Sequence, residues 1–400
     1  MNKMTVRDIE VADKRVLVRV DFNVPVDVAT GAITDDSRIR AALPTIKYLI
    51  ERNARVILIS HLGRPKGKIV NELRLAPVAQ RLSQILGQQV GVAVNCIGPE
   101  VEKSVAALRG GDVLLLENLR FHSDEETGSA EFARALARLG DVFVNDAFGT
   151  SHRAHASIAG IAQYLPAVAG LLLEKEINTL GGLLERPTPP FISVFGGAKV
   201  SDKVGMLNNI MSKVNCLLIG GGMAATFLKA RSCEVGESLV EEESVGVAAK
   251  LMKEAERSGV RIILPVDVIV ADEIDNDARG EVVSVEKIHK NKRIVDIGPE
   301  TVEKFRIGLM GASTIFWNGP MGIEEIPQFA KGTKSIASFI AEHGATTIIG
   351  GGSTAEIIYS MGLADKITFI STGGGASLKF LGGEELPGVV LLKDKQSVIR

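Results

Sequence analysis

Four hundred residues with 46 basic and 48 acidic side chains have a formal net charge of −2. No whole-protein field therefore draws the chain to nucleic acid or to an anionic membrane, and any anion site has to be local. The 46% hydrophobic and only 4% aromatic content describes a core of Val, Ile, Leu and Ala, as in parallel sheets covered by helices, and the three cysteines (Cys96, Cys216, Cys233) have no ligand-type spacing.

Along the chain, short β-branched runs alternate with amphipathic stretches of helix length. RVLVRVDF (15–22), RVILISH (55–61), DVLLLENL (112–119) and DVFVNDAF (141–148) predict four strands. PFISVFGG (190–197), VNCLLIGGG (214–222), RIILPVDVIV (261–270), STIFWNG (313–319), TTIIGGG (346–352) and KITFISTGGG (366–375) predict six more. This alternation signifies parallel pairing, and ten strands divide into two doubly wound α/β domains. The start, MNKMTVRDIEVADKRV, has no apolar signal-peptide region, and reduced cysteines suit a cytoplasmic protein.

Residues 154–173, AHASIAGIAQYLPAVAGLLL, carry no Asp, Glu, Lys or Arg over about a membrane-spanning length. His155, Gln163, Pro166 and the many small residues instead predict a buried interdomain segment. AGLLLEKEINTLGGLLE then places apolar residues at 172, 173, 177, 180, 183 and 184, which predicts a helix bridging the domains. Pro187, Pro189 and Pro190 stop it.

Ligands of open parallel sheets bind beyond the carboxyl ends of the strands. In the first half those ends offer Asp21, Asn23, His61, Arg64, Arg120, Asp146 and Arg153, a rim suited to a small, multiply anionic ligand. In the second half they offer Gly196-Gly197 with Lys199, Gly220 to Gly222, Asn318-Gly319-Pro320, Gly350 to Gly352 and Gly373 to Gly375. Bare backbone lets N–H groups reach phosphate, so this rim suits a nucleotide. Two such rims imply transfer between their ligands.

Each motif also has a plainer reading. In ITDDSRIRAAL, spacing alone favours pairing of Arg38 and Arg40 with Asp35 or Asp36. In RFHSDEETG the acidic run reads as solvated surface and Arg120 as the member of interest. His152 and His155 have the spacing of a metal pair without a third ligand, so no protein-held metal is expected. Lys199 and Lys203, four apart, would share one face of a helix and repel unless an anion bridges them. IGGGMAA and IGGGSTA fit G-x-G-x-x-A, which supports a nicotinamide-dependent dehydrogenase as the rival enzyme but leaves the arginines and lysines unexplained. A non-catalytic regulator binding one phosphometabolite would need no second rim.

RVDFNVP, ITDDSRI, SHLGRP, LENLRFH, NDAFGTSHRAHAS, GGAKVSDK, LIGGGMAATFLKA, WNGPMG and STGGGAS occur in the order and spacing of the phosphoglycerate kinase family. The chain resembles that family along essentially its whole length. The resemblance implies an acid-substrate domain at 1–168, completed by the segment 380–400, and a nucleotide domain at 169–379 that begins with the interdomain helix. It implies a hinge and cleft between them, a cytoplasmic monomer, Mg2+ bound with ATP or ADP, and small-molecule substrates without nucleic-acid or membrane partners.

Carried over residue by residue, the resemblance assigns 3-phosphoglycerate to Asp21, Phe22, Asn23, Arg38, His61, Leu62, Gly63, Arg64, Arg120 and Arg153. It assigns the nucleotide to Lys203, Asn318, Glu325, Gly351, Gly352, Ser353 and Thr354. Charge on the moving phosphoryl group falls to Arg38, Lys199, Lys203 and the helix start at Gly373 and Gly374. One position departs from the family: Ser353 stands where the family commonly has an Asp associated with magnesium. A hydroxyl is a poorer ligand than a carboxylate for a hard dication, so phosphates and water would hold the metal.

Overall fold

The computed structural model describes residues 2–27 and 30–395. The chain divides into two compact units, Met1–Asn178 with Glu385–Arg400, and Thr179–Glu384. Residues 396–400 of the expected C-terminal segment lie outside the described residues.

The first unit is built on six parallel strands: β1 (Arg15–Arg19), β2 (Arg55–Ile59), β3 (Val90–Val92), β4 (Val113–Leu115), β5 (Val142–Asn145) and β6 (Ala167–Ala169). Their order is β3-β4-β2-β1-β5-β6. Helices cover the sheet, so β1 and β2 are buried over four of their five residues, which is why they read as continuous apolar runs. The chain departs on opposite sides of β1, toward β2 and toward β5. That is the topological switch point, and Asp21 and Asn23 follow it directly.

The second unit contains β7 (Phe191–Phe195), β8 (Cys216–Ile219), β9 (Arg261–Ile263), β10 (Asp267–Ala271), β11 (Glu281–Ser284), β12 (Arg293–Ile297), β13 (Thr314–Asn318), β14 (Thr346–Gly350) and β15 (Phe369–Ile370). Six form a parallel sheet in the order β15-β14-β13-β7-β8-β9; the chain leaves β7 toward β8 and β9 and returns on its other side through β13, β14 and β15, so the switch point lies between β7 and β13. The remaining three form an antiparallel sheet, β11-β10-β12. The run expected as one strand at 261–270 is therefore two strands in different sheets. Pro265, which has no N–H for a ladder, lies at the break.

The uncharged stretch 154–173 is not an interdomain segment. It forms short helical turns at Ala156–Gly160 and Ile161–Gln163 and then β6, packed within the first unit. Among the described residues no helix is long and apolar enough to cross a membrane. The helix expected from the 172–184 pattern runs over Leu171–Glu185.

Candidate active site

In the first unit, Asp21 is nearly enclosed, and Arg38, in the first turn of the helix Ser37–Ile50, donates to its Oδ2. His61 Nδ1 lies 4.0 Å from Oδ1. Burial by itself would raise the Asp21 pKa. The neighbouring guanidiniums, Arg38 first and then Arg19, outweigh it and hold the carboxyl below its ordinary value, so Asp21 is an anion at neutral pH.

The other loops are tied to the same place. Asn23 Oδ1 accepts the Gly63 N–H at 2.8 Å, and Arg120 Nη1 donates to the Gly63 carbonyl at 2.8 Å. Phe22 and Leu62 are buried. Their amides donate to Ser60 Oγ and Asn118 Oδ1, so they hold the loops in place. Arg64 is exposed beside them, and Arg153 is close enough to His61 and Arg120 to depress the pKa of both. The structure thus brings Asp21, Asn23, Arg38, His61, Gly63, Arg120 and Arg153 together within this unit.

Two residues of this cluster escaped the sequence reading. Arg19, at the end of β1, is almost fully enclosed, with Nη2 3.2 Å from His61 Nδ1 and Nε 3.0 Å from Ser157 Oγ. Ser157 in turn donates from Oγ and N to Glu125, at 2.6 and 2.9 Å. The run SDEET is exposed as expected except at Glu125. Glu125 is fully buried as the anion that balances Arg19 through Ser157, while Glu126 lies 3.2 Å from Arg120. The available signal was an arginine inside an otherwise apolar strand.

Other expectations also need revision. Arg40 pairs with Asp36 at 2.8 Å, as its spacing suggested, but Arg38 turns to Asp21 instead. Asp146 is not part of the ligand rim; its Oδ1 accepts the N–H groups of Leu172 and Leu173 at the start of the helix Leu171–Glu185. Lys199 and Lys203 do not share a helix face. Residues 201–203 form a 3-10 turn and the α-helix starts at Val204, which leaves Lys199 exposed and Lys203 buried.

The second unit holds a cavity of 340 Å³ at the ends of its strands. One wall is the backbone of Gly197, Ala198, Gly221 and Gly222. Leu239 and Ile274 line it too and remain 59% and 50% exposed, an unusual pair of open apolar side chains beside bare backbone and suited to a flat ring. Glu324, Glu325 and Ser353 add oxygen atoms.

Not every glycine here serves a ligand. A Cβ on Gly196 would lie 2.0 Å from the Pro320 carbonyl, so this glycine allows two loops to touch. Gly351 is different: it caps the helix Gly352–Ser360 at φ +94°, with Asn318 Nδ2 3.1 Å from where its Cβ would stand. Thr354 accepts the Gly319 N–H at 2.8 Å, which joins this helix to the loop after β13. Gly373 donates its N–H to Ser371 Oγ and Gly374 caps a short helix, Gly375–Leu381, so that helix begins two residues later than expected.

Burial lowers the Lys203 pKa, and Asp202 and Glu241 offset this only in part. An enclosed ammonium of this kind awaits an anion. Among the described residues, no cluster of three or more His, Cys, Asp or Glu could cage a metal. The wall formed by Glu324, Glu325 and Ser353 still fits a hard cation brought in by phosphates, because its donors are oxygens and Glu324 Oε2 is buried without a hydrogen-bond partner.

The sequence model of the family described as phosphoglycerate kinase matches residues 6–384. Relatives named phosphoglycerate kinase include one from Dictyoglomus turgidum, 56% identical over 98% of both chains, and one from Moorella thermoacetica, 55% identical over 99% of this chain and all of the other. Among solved structures, phosphoglycerate kinase from Coxiella burnetii is 41% identical with a TM-score of 0.85 over 97% of this chain and 98% of its own. The Pyrococcus horikoshii structure has the same TM-score and coverage at 33% identity. Family match, identity and coverage agree with the two sheets and the two sets of strand-end residues: the chain belongs to the phosphoglycerate kinase family, kinases that transfer phosphate between 1,3-bisphosphoglycerate with ADP and 3-phosphoglycerate with ATP.

Proposed function

We propose that the first unit binds the phosphoglycerate, through Asp21, Asn23, Arg38, His61, Arg64, Arg120 and Arg153, and that the second binds ADP or ATP as its magnesium complex. Lys203, Asn318, Glu325 and the Gly351 to Thr354 turn are its nucleotide contacts. The observation that carries the reading is the arginine cluster around His61. It offers charge-assisted and bidentate bonds to a carboxylate and a phosphate.

Neither direction of the reaction needs a general base, since a carboxylate with a reference pKa of ~4 and a nucleotide phosphate are both ionised at neutral pH. The task left to the protein is alignment to about 3–3.5 Å between reacting atoms and neutralisation of charge. Asp21 holds Arg38 by their ion pair, so that the guanidinium meets the transferred group in a fixed orientation. Lys199, Lys203 and the backbone at Gly373 and Gly374 meet it from the nucleotide side. Bound with the nucleotide, Mg2+ would screen the phosphate charges that oppose transfer.

The enzyme would act on small molecules, in keeping with a near-zero net charge that draws it to neither nucleic acid nor membrane, and as a cytoplasmic monomer by its family resemblance. A coupled assay of ATP formation tests the reading: turnover is expected only with 1,3-bisphosphoglycerate, ADP and magnesium together. Binding without turnover, or a fluorescence response to NADH, would overturn it.

A further inference from the structure

The missing carboxylate at position 353 has a neighbour. The Ser353 hydroxyl is close enough to the Glu324 carboxylate to lower its pKa, against the larger effect of burial that raises it, and both residues line the 340 Å³ cavity. Ser353 comes from the first turn of the helix after β14, and Glu324 from the loop after β13, the strand beside it. The two loops meet only because those strands are adjacent.

Glu324 is incompletely satisfied. Its Oε2 is enclosed and has no hydrogen-bond partner, and no ion pair to Glu324 occurs among the described residues. Arg293, on the same lining, is already engaged by Glu237 at 2.6 Å and by the Asp272 carbonyl at 2.9 Å. An enclosed carboxylate oxygen without a partner is costly, and a cation beside it would offset that cost.

We propose that Glu324, positioned by the Ser353 hydroxyl, supplies the carboxylate toward the divalent cation of the bound nucleotide, replacing the one absent at position 353. The inference rests on the assignment of this cavity to the nucleotide. Glutamate from the adjacent loop brings the same hard oxygen donor, and serine at 353 leaves it room and an orienting hydroxyl, as residues behind a metal ligand commonly do.

Calorimetric titration of the full chain with ADP, in Mg2+, in Mn2+ and in EDTA, reads the metal's contribution as the ratio of the affinities. Glu324→Gln should lower that ratio by about 10- to 100-fold and leave the affinity in EDTA unchanged. Ser353→Ala should lower it less, and Ser353→Asp added to Glu324→Gln should restore it. An unchanged ratio in Glu324→Gln, or an equal loss with and without metal, would overturn the assignment of Glu324 alone. Failure of the unsubstituted chain to bind ADP under any condition would overturn the nucleotide site as well.

Discussion

Arg19 Nη2 stands 3.2 Å from Nδ1 of His61, with both side chains enclosed. A guanidinium has only donors, so Nδ1 accepts and the proton of the neutral ring is on Nε2. Burial, with Arg19, Arg120 and Arg153, holds the His61 pKa well below its ordinary value against the pull of Asp21. His61 therefore offers a neutral N–H donor to an anionic ligand, and the positive charge of the site is left to arginine.

That arrangement makes stability depend on acid. The folded pKa lies below the unfolded value of ~6.5, so the unfolded chain binds more protons in between, and stability is lost as pH falls below that value. His61→Gln keeps a side-chain acceptor for Arg19 and removes the titration. Urea midpoints from pH 7 to 5 should fall less steeply in the variant than in the parent. Parallel curves would show that His61 is not held neutral.

Asp146 predicts the opposite sign. Burial pushes its pKa up to about 7, against its bonds to Thr45, Leu173 and Leu172. The folded value exceeds the unfolded one, so its contribution is present at low pH and lost as pH rises through about 7. Asp146→Asn keeps the helix-capping oxygen without the charge and should gain stability over the parent between pH 6 and 8. Asp146→Ala lacks the charge and the cap alike, so it should lie about 1–2 kcal/mol below Asp146→Asn at every pH. Thermal melts of both variants across that range check the pair.

Strands buried on both faces were legible because burial leaves a continuous apolar run, as in β1, β2 and β13. Val90–Val92 and Ala167–Ala169 are three residues long and leave no such run, and Glu281–Ser284 is mostly exposed. The anionic-ligand cluster was legible as a set of strand ends, since the parallel topology gathers them. Which way each side chain turns was not: Asp146 and Arg153 follow the same strand, yet one caps a helix and the charge of the other bears on His61. Arg19 with Glu125, and Ser353 with Glu324, meet through tertiary neighbours far apart in sequence. No local spacing encodes either pair.

Arg38 carries the most direct kinetic prediction. Its only ion pair among the described residues is with Asp21, and it stays one-third exposed toward the site. Arg38→Ala should lower kcat by about 10²- to 10³-fold, the scale of losing one charge-stabilising donor, while calorimetry still detects 3-phosphoglycerate and ADP. Arg38→Lys should recover only part of this, because an ammonium cannot hold Asp21 and a phosphoryl oxygen in one planar fork. Near-normal turnover in Arg38→Ala would remove it from the mechanism.

Lys203 separates stability from function. Its ammonium is buried, and burial lowers its pKa despite Asp202 and Glu241, so the folded chain without ligand bears the cost of an enclosed charge at neutral pH. Methionine has a similar length and no charge. Lys203→Met should therefore raise the melting temperature of the ligand-free protein and weaken ADP binding roughly 10- to 100-fold, the worth of a charge-assisted hydrogen bond of about 1.5–3 kcal/mol. Saturating ADP should then reverse the order, raising the parent's melting temperature more than the variant's. Melting curves with and without ADP read both effects in one experiment. A variant that melts lower than the parent in the absence of ligand would mean that Nζ serves a structural contact and is not held in reserve for phosphate.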